Sequence, residues 1–596
     1  MPSHLIHVLI ISSLFAATLF SPPVYFWSPI LQVILLCWGL FLFFYDGVKK
    51  GGLEIKRSSF PLPLLIFFVL AVLYTFKSID YALSCDFFFQ LVSYVAIFFL
   101  IAQISSPREA RRIALAIVIL GILTSLYGLY QYLWGFQNLI DKIGEGELSH
   151  ICPLIEEILG RLEGGRVFAT FLLPSHFAAF LGMSILLSIA FIIIVRKGWR
   201  RYLFGMALGL QIFALYLTKS FSGWGSLILA CGCFAFIYLG YVKRPKIRYL
   251  AYSLGGLVLL LALIFAGLTL KRPDNPFAPI KSNPLVLRVL NWETTIDMIR
   301  DEPWVGKGLN TFGLIYPSYQ RPGVNIVHHS HNTYLQLGVE MGVVGMMAFL
   351  WFACWWFWRS LLVLKETEDR ESTVWVGSVM VAGLAFFLHH AFDFEFYLPN
   401  VTLAGFAVLA LAIGAKANDR VYRIALEGRR KTIFTFLGFA GVVAVSIVLL
   451  LQLYGQMHYQ RATCRLESGS FFANEAALEL KRAIRLDSKN SQYHHRYGVL
   501  LFQKLSRHKE GISEVQEAIR LSPWRHYYHF DLGMMYLISG QEKKGVEEIK
   551  RASQLYPLNE EYHQFLRGIY LQRGENNLAY QEEKWIERIQ RQEGVD

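Results

Sequence analysis

Apolar residues dominate the chain up to about residue 455, in long runs separated by short polar loops. A helix rises about 1.5 Å per residue, so roughly 20 apolar residues are needed to cross the hydrocarbon core of a bilayer. The sequence therefore predicts an all-α, polytopic membrane bundle over residues 1–455. About thirteen spans are expected, at 4–20, 24–45, 59–76, 86–104, 112–134, 174–195, 202–218, 223–242, 249–270, 342–363, 373–391, 399–415 and 433–453.

A different pattern begins after residue 455, where helical periodicity with charged faces replaces the apolar runs. AIRL at 483–486 recurs at 518–521 and, as ASQL, at 552–555, while Gly498, Gly533 and Gly568 recur 35 residues apart. This spacing resembles the tetratricopeptide repeat, a helix-turn-helix unit of about 34 residues. We expect an α-solenoid of three or so units over 456–596. By resemblance it binds a protein partner, and a purely structural cap is the alternative.

Composition and charge agree with a membrane protein. The 596 residues are 54% hydrophobic and 17% charged, with a net charge of +13. The basic residues fall mainly in alternate short loops, such as RKGWRR at 196–201 and KRPKIR at 243–248. Lys and Arg in short loops mark the cytoplasmic side, which accounts for the charge without a nucleic-acid partner. The N-terminus is predicted inside, with the loops near 135–170 and 271–332 and the C-terminal repeats outside.

The cysteines give no firm prediction. Seven are scattered along the chain without the spacing of a zinc site. Cys85, Cys152 and Cys464 lie on the predicted outer face, where an oxidising compartment would permit a disulfide. Three candidates allow no pairing to be assigned, and unpaired cysteines remain the alternative.

The stretch VHHSHNTYLQLGVEMGVVG at 327–345 places polar residues directly before an apolar run. His331-Asn332 is followed by nine residues, then Gly342, two residues and Gly345. This pattern resembles the superfamily of O-antigen ligases and polymerases. Three further landmarks resemble the same superfamily in the same order: GRVFATFLLPSHFAAFL (165–181), LRVLNWETTIDMIRDEPWVGKGLNTF (287–312) and HHAFDFEFYLP (389–399). KSFSGWG (219–225) departs from it, because relatives often carry Ser-Arg-Gly there.

The resemblance implies a GT-C-like bundle with a large outer loop, 271–341, folded over a cavity. It also implies inverting transfer of a preassembled glycan from undecaprenyl pyrophosphate, at the periplasmic face of the bacterial inner membrane. A lipid A-core acceptor would make the protein an O-antigen ligase, which we expect first. A growing glycan would make it a polysaccharide polymerase, and a Ser/Thr side chain a protein O-oligosaccharyltransferase. From other classes, a flippase for the same lipid-linked glycan and a non-catalytic scaffold are the alternatives.

Site roles follow from the resemblance. His331 is expected to be the general base, because a neutral imidazole accepts protons near pH 7. Glu340 and Asp393 are the competing candidates for that role. Arginine pairs two phosphate oxygens at once, which suits a lipid pyrophosphate. The expected substrate-binding residues are Arg166, Arg288, Asn332, Lys219, His389 and Asp393.

Some of these residues have alternative roles that the sequence does not exclude. Arg166 and Arg288 could instead anchor the chain at lipid headgroups, and His389 and Asp393 could be structural. His328 and His329 are expected to be solvated or to support the site. No cofactor and no metal are expected, because the outer loops lack a compact carboxylate cluster of the kind a magnesium enzyme uses.

Overall fold

The computed structural model of the chain describes residues 2–20, 25–103, 106–144, 164–195, 197–240, 284–414, 420–426, 428–467 and 472–593. The predicted span 249–270 and Cys152 lie outside these residues. In chain order the helices are α1 (Pro2–Leu19), α2 (Trp27–Lys49), α3 (Leu62–Phe76), α4 (Tyr81–Ala102), α5 (Pro107–Tyr130), α6 (Phe136–Gly144), α7 (Pro174–Ile194), α8 (Trp199–Leu217), α9 (Phe221–Gly240), α10 (Pro284–Asp301), α11 (Phe312–Tyr319), α12 (Thr333–Lys365), α13 (Arg370–His389), α14 (Pro399–Gly414), α15 (Gly428–Glu467), α16 (Ala473–Leu486), α17 (Ser491–Gln503), α18 (His508–Leu521), α19 (His526–Ile538), α20 (Glu542–Leu555), α21 (Glu560–Gln572) and α22 (Asn576–Glu593).

The predicted all-α architecture is confirmed. Every predicted span within the described residues coincides with a helix. Eight stretches of the described chain are helical, long and apolar enough to cross a membrane, and three shorter apolar helices accompany them. The protein is therefore a multi-pass membrane protein. Within the described chain, Cys85 is not in a disulfide.

The chain forms two compact units. The first comprises residues 1–68, 89–263 and 348–449. Within it, α7 packs against α5, α8, α9, α13 and α14. Most residues of α7 and every residue of α14 are buried, as expected for helices with apolar residues on all sides in the interior of a bundle.

A short two-stranded sheet belongs to the first unit and was not predicted. Strand β1 (Gly52–Lys56) pairs antiparallel with β2 (Val421–Ala425), so that Gly52 lies opposite Ala425. Both strands are five residues long and carry charged residues, including Glu54 and Arg423, which form an ion pair at 3.1 Å. Strands this short lie within the predicted polar loops, where no hydrophobic alternation indicates them.

The second unit comprises residues 69–88, 264–347 and 450–596. Its C-terminal part is the predicted solenoid, in which α17 packs with α18, α19 with α20 and α21 with α22. A Cβ added at Gly498 would lie 2.7 Å from the carbonyl oxygen of Gly511, and one at Gly533 would lie 2.9 Å from that of Gly545. These glycines let the paired helices approach closely. At Gly568 a Cβ would meet nothing within 4 Å, so that glycine is not required by packing.

One side-chain contact recurs through the solenoid. A histidine of the first helix of each pair faces a glutamate of the second, with Nδ1 to Oε2 distances of 2.5 to 2.7 Å. The pairs are His458–Glu479, His494–Glu514, His529–Glu548 and His563–Glu582. Because His458 lies near the end of α15, the first helix of the solenoid is the C-terminal part of α15. The described residues therefore contain four helix pairs.

The predicted outer loop contains regular structure. Within its described residues, 284–341, the helices α10 and α11 pack against each other. Arg288, expected on a loop, lies in α10. Pro284 is the first residue of that helix, a position where its missing N–H is tolerated. Mixed polar and apolar residues in α10 give no long apolar run, so a search for spans does not find the helix.

Candidate active site

His331 has an unusual backbone conformation in the second unit. Its φ is 52°, in the left-handed region that few residues other than glycine adopt. The indole Nε1 of Trp292 donates a hydrogen bond to the His331 carbonyl at 3.2 Å. The buried Ser330 hydroxyl donates to the Asn332 carbonyl at 2.7 Å. These contacts on both sides hold the half-buried His331 in one backbone conformation.

Asn332 caps the helix that follows His331. Its Oδ1 accepts a hydrogen bond from the Leu335 N–H at 3.1 Å, and its carbonyl accepts from the Gln336 N–H at 3.0 Å. An Asn at this position satisfies a backbone donor that the first turn of a helix leaves unpaired. The cap therefore fixes where α12 starts, immediately after His331.

Glu340 is fully buried and connects two of the sequence landmarks. Its carboxylate accepts hydrogen bonds from the Asn310 N–H at 2.7 Å, the Phe312 N–H at 3.4 Å and Gln336 Nε2 at 2.9 Å. Gln336 in turn accepts from the Ser330 N–H at 3.1 Å. The side chain of Glu340 therefore joins the loop before α11 to the His331 segment.

Gly342, within α12, lies against the backbone of residues 303 and 304, which follow α10. Its φ of 66° interrupts the helical backbone, and a Cβ there would lie 2.6 Å from the Trp304 carbonyl oxygen. The Val343 N–H donates to the Pro303 carbonyl at 2.8 Å. Gly342 therefore permits a close backbone approach. A Cβ at Gly345 would meet the side chain of Met341 in its own helix.

Arg288 is half-buried on α10. It precedes Trp292 by four residues, and residues at this spacing are neighbours on one helix face. Because Trp292 contacts the His331 carbonyl, Arg288 lies on the face of α10 that meets the His331 segment.

A second arginine near α10 is already paired. Arg321 contacts the carboxylates of Glu293 and Asp297. The hydrogen bond with Asp297 raises the pKa of Arg321. Burial and a hydrogen bond to Asp301 raise the pKa of the nearby Tyr319 to about 12. Both groups thus bind the segment after α11 to α10, a role the sequence did not reveal.

Arg166 and Lys219, two of the residues expected to bind substrate, lie close together in the first unit. Arg166 Nε donates to the Thr218 carbonyl at 3.2 Å, and Lys219 Nζ donates to the Gly164 carbonyl at 2.7 Å. The Val167 N–H also bonds the Leu217 carbonyl at 3.1 Å. The segment before α7 therefore lies along the end of α8, which brings Arg166 and Lys219 to one place. Lys219 supplies a positive charge in the stretch where relatives often carry arginine.

His389 and Asp393 belong to a buried cluster in the first unit. His176 Nε2 of α7 is 3.6 Å from Asp393 Oδ1, and His389 Nδ1 contacts a carboxylate oxygen of Glu395. The Phe394 and His176 rings are nearly perpendicular, with centroids 4.8 Å apart. His176 and Glu395 fall inside the sequence landmarks 165–181 and 389–399, but no local pattern marks either residue as part of a site.

Three members of this cluster could hold a metal ion. One ligand atom each of His176, Asp393 and Glu395 lies within 4.8 Å of the others, and all three residues are buried. Imidazole nitrogen and carboxylate oxygen are ligands that zinc accepts. The described part of the chain offers no other such group of three. The expectation of no metal rested on the lack of a compact carboxylate cluster in the outer loops. Asp393 and Glu395 lie in one such loop, between the predicted spans 373–391 and 399–415, and the fold adds His176 to them.

The fold defines a multi-pass membrane protein with a helical repeat region. Residues 206–350, which include Lys219, Arg288 and the whole His331 to Gly345 motif, match a family model described as O-Antigen ligase. This match confirms the resemblance found in the sequence. It supports a ligase-like or polymerase-superfamily glycosyltransferase role.

Other comparisons add less. No curated protein matches the chain. A crystal structure of MamA shares 18% identity, with a TM-score of 0.22, over 28% of this chain and 96% of that chain. MamA 41-end from Desulfovibrio magneticus RS-1 shares 17% identity, with a TM-score of 0.21, over 27% of this chain and 93% of that chain. We draw no conclusion about fold or function from similarity at this level. The repeat fold is assigned from the four helix pairs described above.

Proposed function

We propose that the protein transfers a preassembled glycan from undecaprenyl pyrophosphate to an acceptor at the periplasmic face of the bacterial inner membrane. O-antigen ligase activity, with lipid A-core as acceptor, is the form we favour. The observation that carries the proposal is the half-buried His331, held at the start of an apolar helix by Trp292 and Ser330, inside the segment that matches O-antigen ligases.

The proposed reaction is a single displacement. His331 removes the proton from the acceptor hydroxyl as its oxygen attacks the anomeric carbon. The bond between that carbon and the pyrophosphate oxygen breaks, and undecaprenyl pyrophosphate leaves with the electron pair. One displacement inverts the anomeric centre. General-base help of this kind is worth roughly 10²- to 10⁴-fold in rate.

Positive side chains stabilise the leaving pyrophosphate in this proposal. Arg288 acts from the face of α10 that meets the His331 segment. Arg166 and Lys219 are the other two cations assigned to this role, and both lie in the first unit. Charge-assisted hydrogen bonds to phosphate oxygens grow stronger as negative charge develops, which lowers the barrier. Asn332 is assigned to substrate binding. His389 and Asp393 are both buried, so for them the structural alternative is the one we propose.

The competing bases are less suited to the task. Glu340 and Asp393 are both fully buried, whereas a general base must come within about 2.6–3.2 Å of the acceptor hydroxyl. The Glu340 carboxylate also accepts two backbone N–H groups and an amide. These contacts occupy its oxygens, so they are not free to accept a proton from an acceptor hydroxyl.

We propose that the reaction is independent of metal ions. The transfer step uses side-chain cations, so it needs no metal ion.

The proposal also includes the membrane orientation and the partners of the protein. The N-terminus is assigned to the cytoplasm and the repeats to the periplasm, because of the distribution of basic loops. The partners are the lipid-linked donor, a glycan, lipid A-core or protein acceptor, the surrounding lipids, and a protein bound by the repeats.

The test uses purified full-length protein in lipid nanodiscs with an undecaprenyl-pyrophosphate oligosaccharide and each acceptor in turn. A single shift of lipid A-core supports a ligase, a ladder of products indicates a polymerase, and a glycosylated peptide indicates a protein transferase. We expect His331→Ala to abolish product formation. His328→Ala, which changes an exposed histidine three residues earlier, is the matched control and should retain it. Equal activity of His331→Ala and the wild type would overturn the proposal.

A further inference from the structure

A buried ion pair links the repeats to the segment before α4 within the second unit. Arg525, just before α19, places Nη2 3.2 Å from Oδ2 of Asp80. The side chains are only 12% and 4% exposed. The Arg525 guanidinium also lies 5.7 Å from the centroid of the Tyr528 ring. Removing one partner of such a pair leaves a buried charge uncompensated, which is strongly destabilising.

The neighbouring residue Trp524 extends this contact. It packs against a buried cluster that includes Phe312, Ile315 and Tyr316 of α11. Its ring also faces Lys307, whose Nζ lies 5.3 Å from the ring centroid. In addition, α11 itself contacts α20 of the solenoid. The repeats therefore pack against α11, which precedes the His331 segment in the chain.

Hydrogen bonds continue from Asp80 to the loop before α11. The Ser78 hydroxyl donates to the Asp80 carbonyl at 2.9 Å, and the Ile79 N–H donates to the Lys307 carbonyl at 3.0 Å. A Cβ at Gly308 would lie 2.1 Å from Ser78 Oγ. The turn that carries Asp80 therefore lies directly against residues 307 and 308.

The same loop continues the connection to His331. The Lys307 N–H donates to the Val339 carbonyl at 3.2 Å, and the Gly308 N–H donates to the Glu340 carbonyl at 3.0 Å. From Glu340 the hydrogen bonds run through Gln336 to the Ser330 N–H. Ser330 is adjacent to His331, so an uninterrupted series of contacts joins Arg525 to the proposed base.

From this series we infer that the repeat region positions His331 in its own chain, with Arg525 and Trp524 as the positioning residues. This inference rests on the proposed function and deepens it, because it gives the solenoid a role in transfer besides binding another protein. Variants along this series test the coupling directly.

The variants for this test are made in the full-length protein in nanodiscs. Arg525→Gln and Asp80→Asn each break the ion pair, and the double variant removes both charges. The matched control is Arg520→Gln, because Arg520 is 68% exposed and pairs with Glu517 of its own helix. Trp524→Leu provides an independent variant that leaves the ion pair intact.

Two measurements are made on each variant. The first is amide hydrogen exchange of residues 328–340, which needs no substrate. The second is the transfer reaction with the undecaprenyl-pyrophosphate oligosaccharide. We expect Arg525→Gln to raise the exchange rate about 10-fold and to lower kcat by about 10- to 100-fold with little change in KM, since misplaced catalytic groups lose rate. The double variant should show a smaller rise in exchange rate and a smaller fall in kcat than Arg525→Gln, because no charge is left buried alone.

The outcomes separate the two proposals. If the wild type shows no transfer, the proposed function fails, and hydrogen exchange still tests the coupling. If transfer occurs but Arg525→Gln and Trp524→Leu match Arg520→Gln in exchange and in kcat, the positioning role is wrong. A loss of folded protein in Arg525→Gln, detected by size-exclusion chromatography, leaves Trp524→Leu and the double variant to decide in the same assays.

Discussion

The indole of Trp292 donates a hydrogen bond to the carbonyl oxygen of His331 at 3.2 Å. This bond joins α10 to a residue in the left-handed backbone region. The imidazole of His331 therefore projects from a backbone position that another helix holds.

Replacing Trp292 with Phe should slow transfer. The variant keeps an aromatic ring but loses the donor, at a cost of about 1 kcal/mol. We expect kcat to fall about 10-fold while the protein remains folded. Trp304→Phe changes a tryptophan ring that is 68% exposed and serves as the control. Unchanged kcat in Trp292→Phe would show that this hydrogen bond does not hold His331 in place for catalysis.

Gly342→Ala should destabilise the second unit. The residue has a φ of 66°, and the new Cβ would lie 2.6 Å from a carbonyl oxygen. Strain of this kind costs on the order of 1–3 kcal/mol. The thermal unfolding midpoint in nanodiscs should fall, whereas Gly441→Ala, where a Cβ meets nothing within 4 Å, should leave it unchanged or higher. Equal midpoints would contradict the close approach seen at Gly342.

Lys219 should contribute to binding of the lipid-linked donor. Lys219→Met removes a charge beside Arg166, and we expect KM for the donor to rise about 5- to 50-fold, as for loss of a charge-assisted hydrogen bond. Lys219→Arg keeps the charge and should stay near the wild-type value. Lys197→Met, at an exposed lysine, is the control. A KM that does not distinguish Met from Arg at position 219 would remove Lys219 from the binding site.

The His494–Glu514 pair should make solenoid stability depend on pH. Burial lowers the pKa of His494, but hydrogen bonds to Glu514 and to the Ser488 carbonyl outweigh it, so the pKa is raised. A histidine whose folded-state pKa lies above its unfolded value of about 6.5 stabilises the fold fully below that pH. The contribution is lost as the pH rises through the folded-state pKa.

The measurement is the difference in unfolding midpoint between the wild type and His494→Gln, recorded from about pH 5 to pH 8. The difference should be largest at low pH and shrink as the pH rises. A comparison between variants is needed because His526 titrates in the opposite sense: burial, followed by the charge of Arg525, lowers its pKa to about 4. His508→Gln, at an exposed site, is the control. A difference that grows with pH would contradict the raised pKa.

Metal removal should leave transfer intact. The proposed step uses His331 and positive side chains, so EDTA should not change kcat. Elemental analysis of the purified protein tests the buried group of His176, Asp393 and Glu395 directly. A stoichiometric metal whose removal abolishes transfer, with the same loss in His176→Ala, would overturn metal independence and assign the metal to that group.

Local patterns in the sequence were sufficient to predict much of the fold. The spans follow from runs of apolar residues, and the solenoid follows from a repeat of 34 to 35 residues. The His331 motif was also visible, because Asn332 and Gly342 lie in one continuous segment. The structure assigns these two residues physical roles, as a helix cap and as a site of close backbone approach.

Contacts between distant segments could not be predicted in this way. Arg525 and Asp80 are separated by 445 residues, and His176 and Asp393 by 217. No periodicity links such positions. Glu340 was weighed as a base because it is a carboxylate near His331, whereas its burial and its contacts with residues 310 and 312 depend on the tertiary fold.

The histidine–glutamate contacts of the repeats have a consequence for how such a chain can grow. Each helix pair contains its own histidine–glutamate contact. In three of the pairs the histidine Nε2 also contacts a carbonyl oxygen six residues earlier, at Ser488, Pro523 and Pro557. A duplicated segment of 34 or 35 residues would therefore include both residues of its own histidine–glutamate contact. The array can lengthen or shorten by whole modules, whereas gaining or losing a single residue inside one module would misalign its two helices.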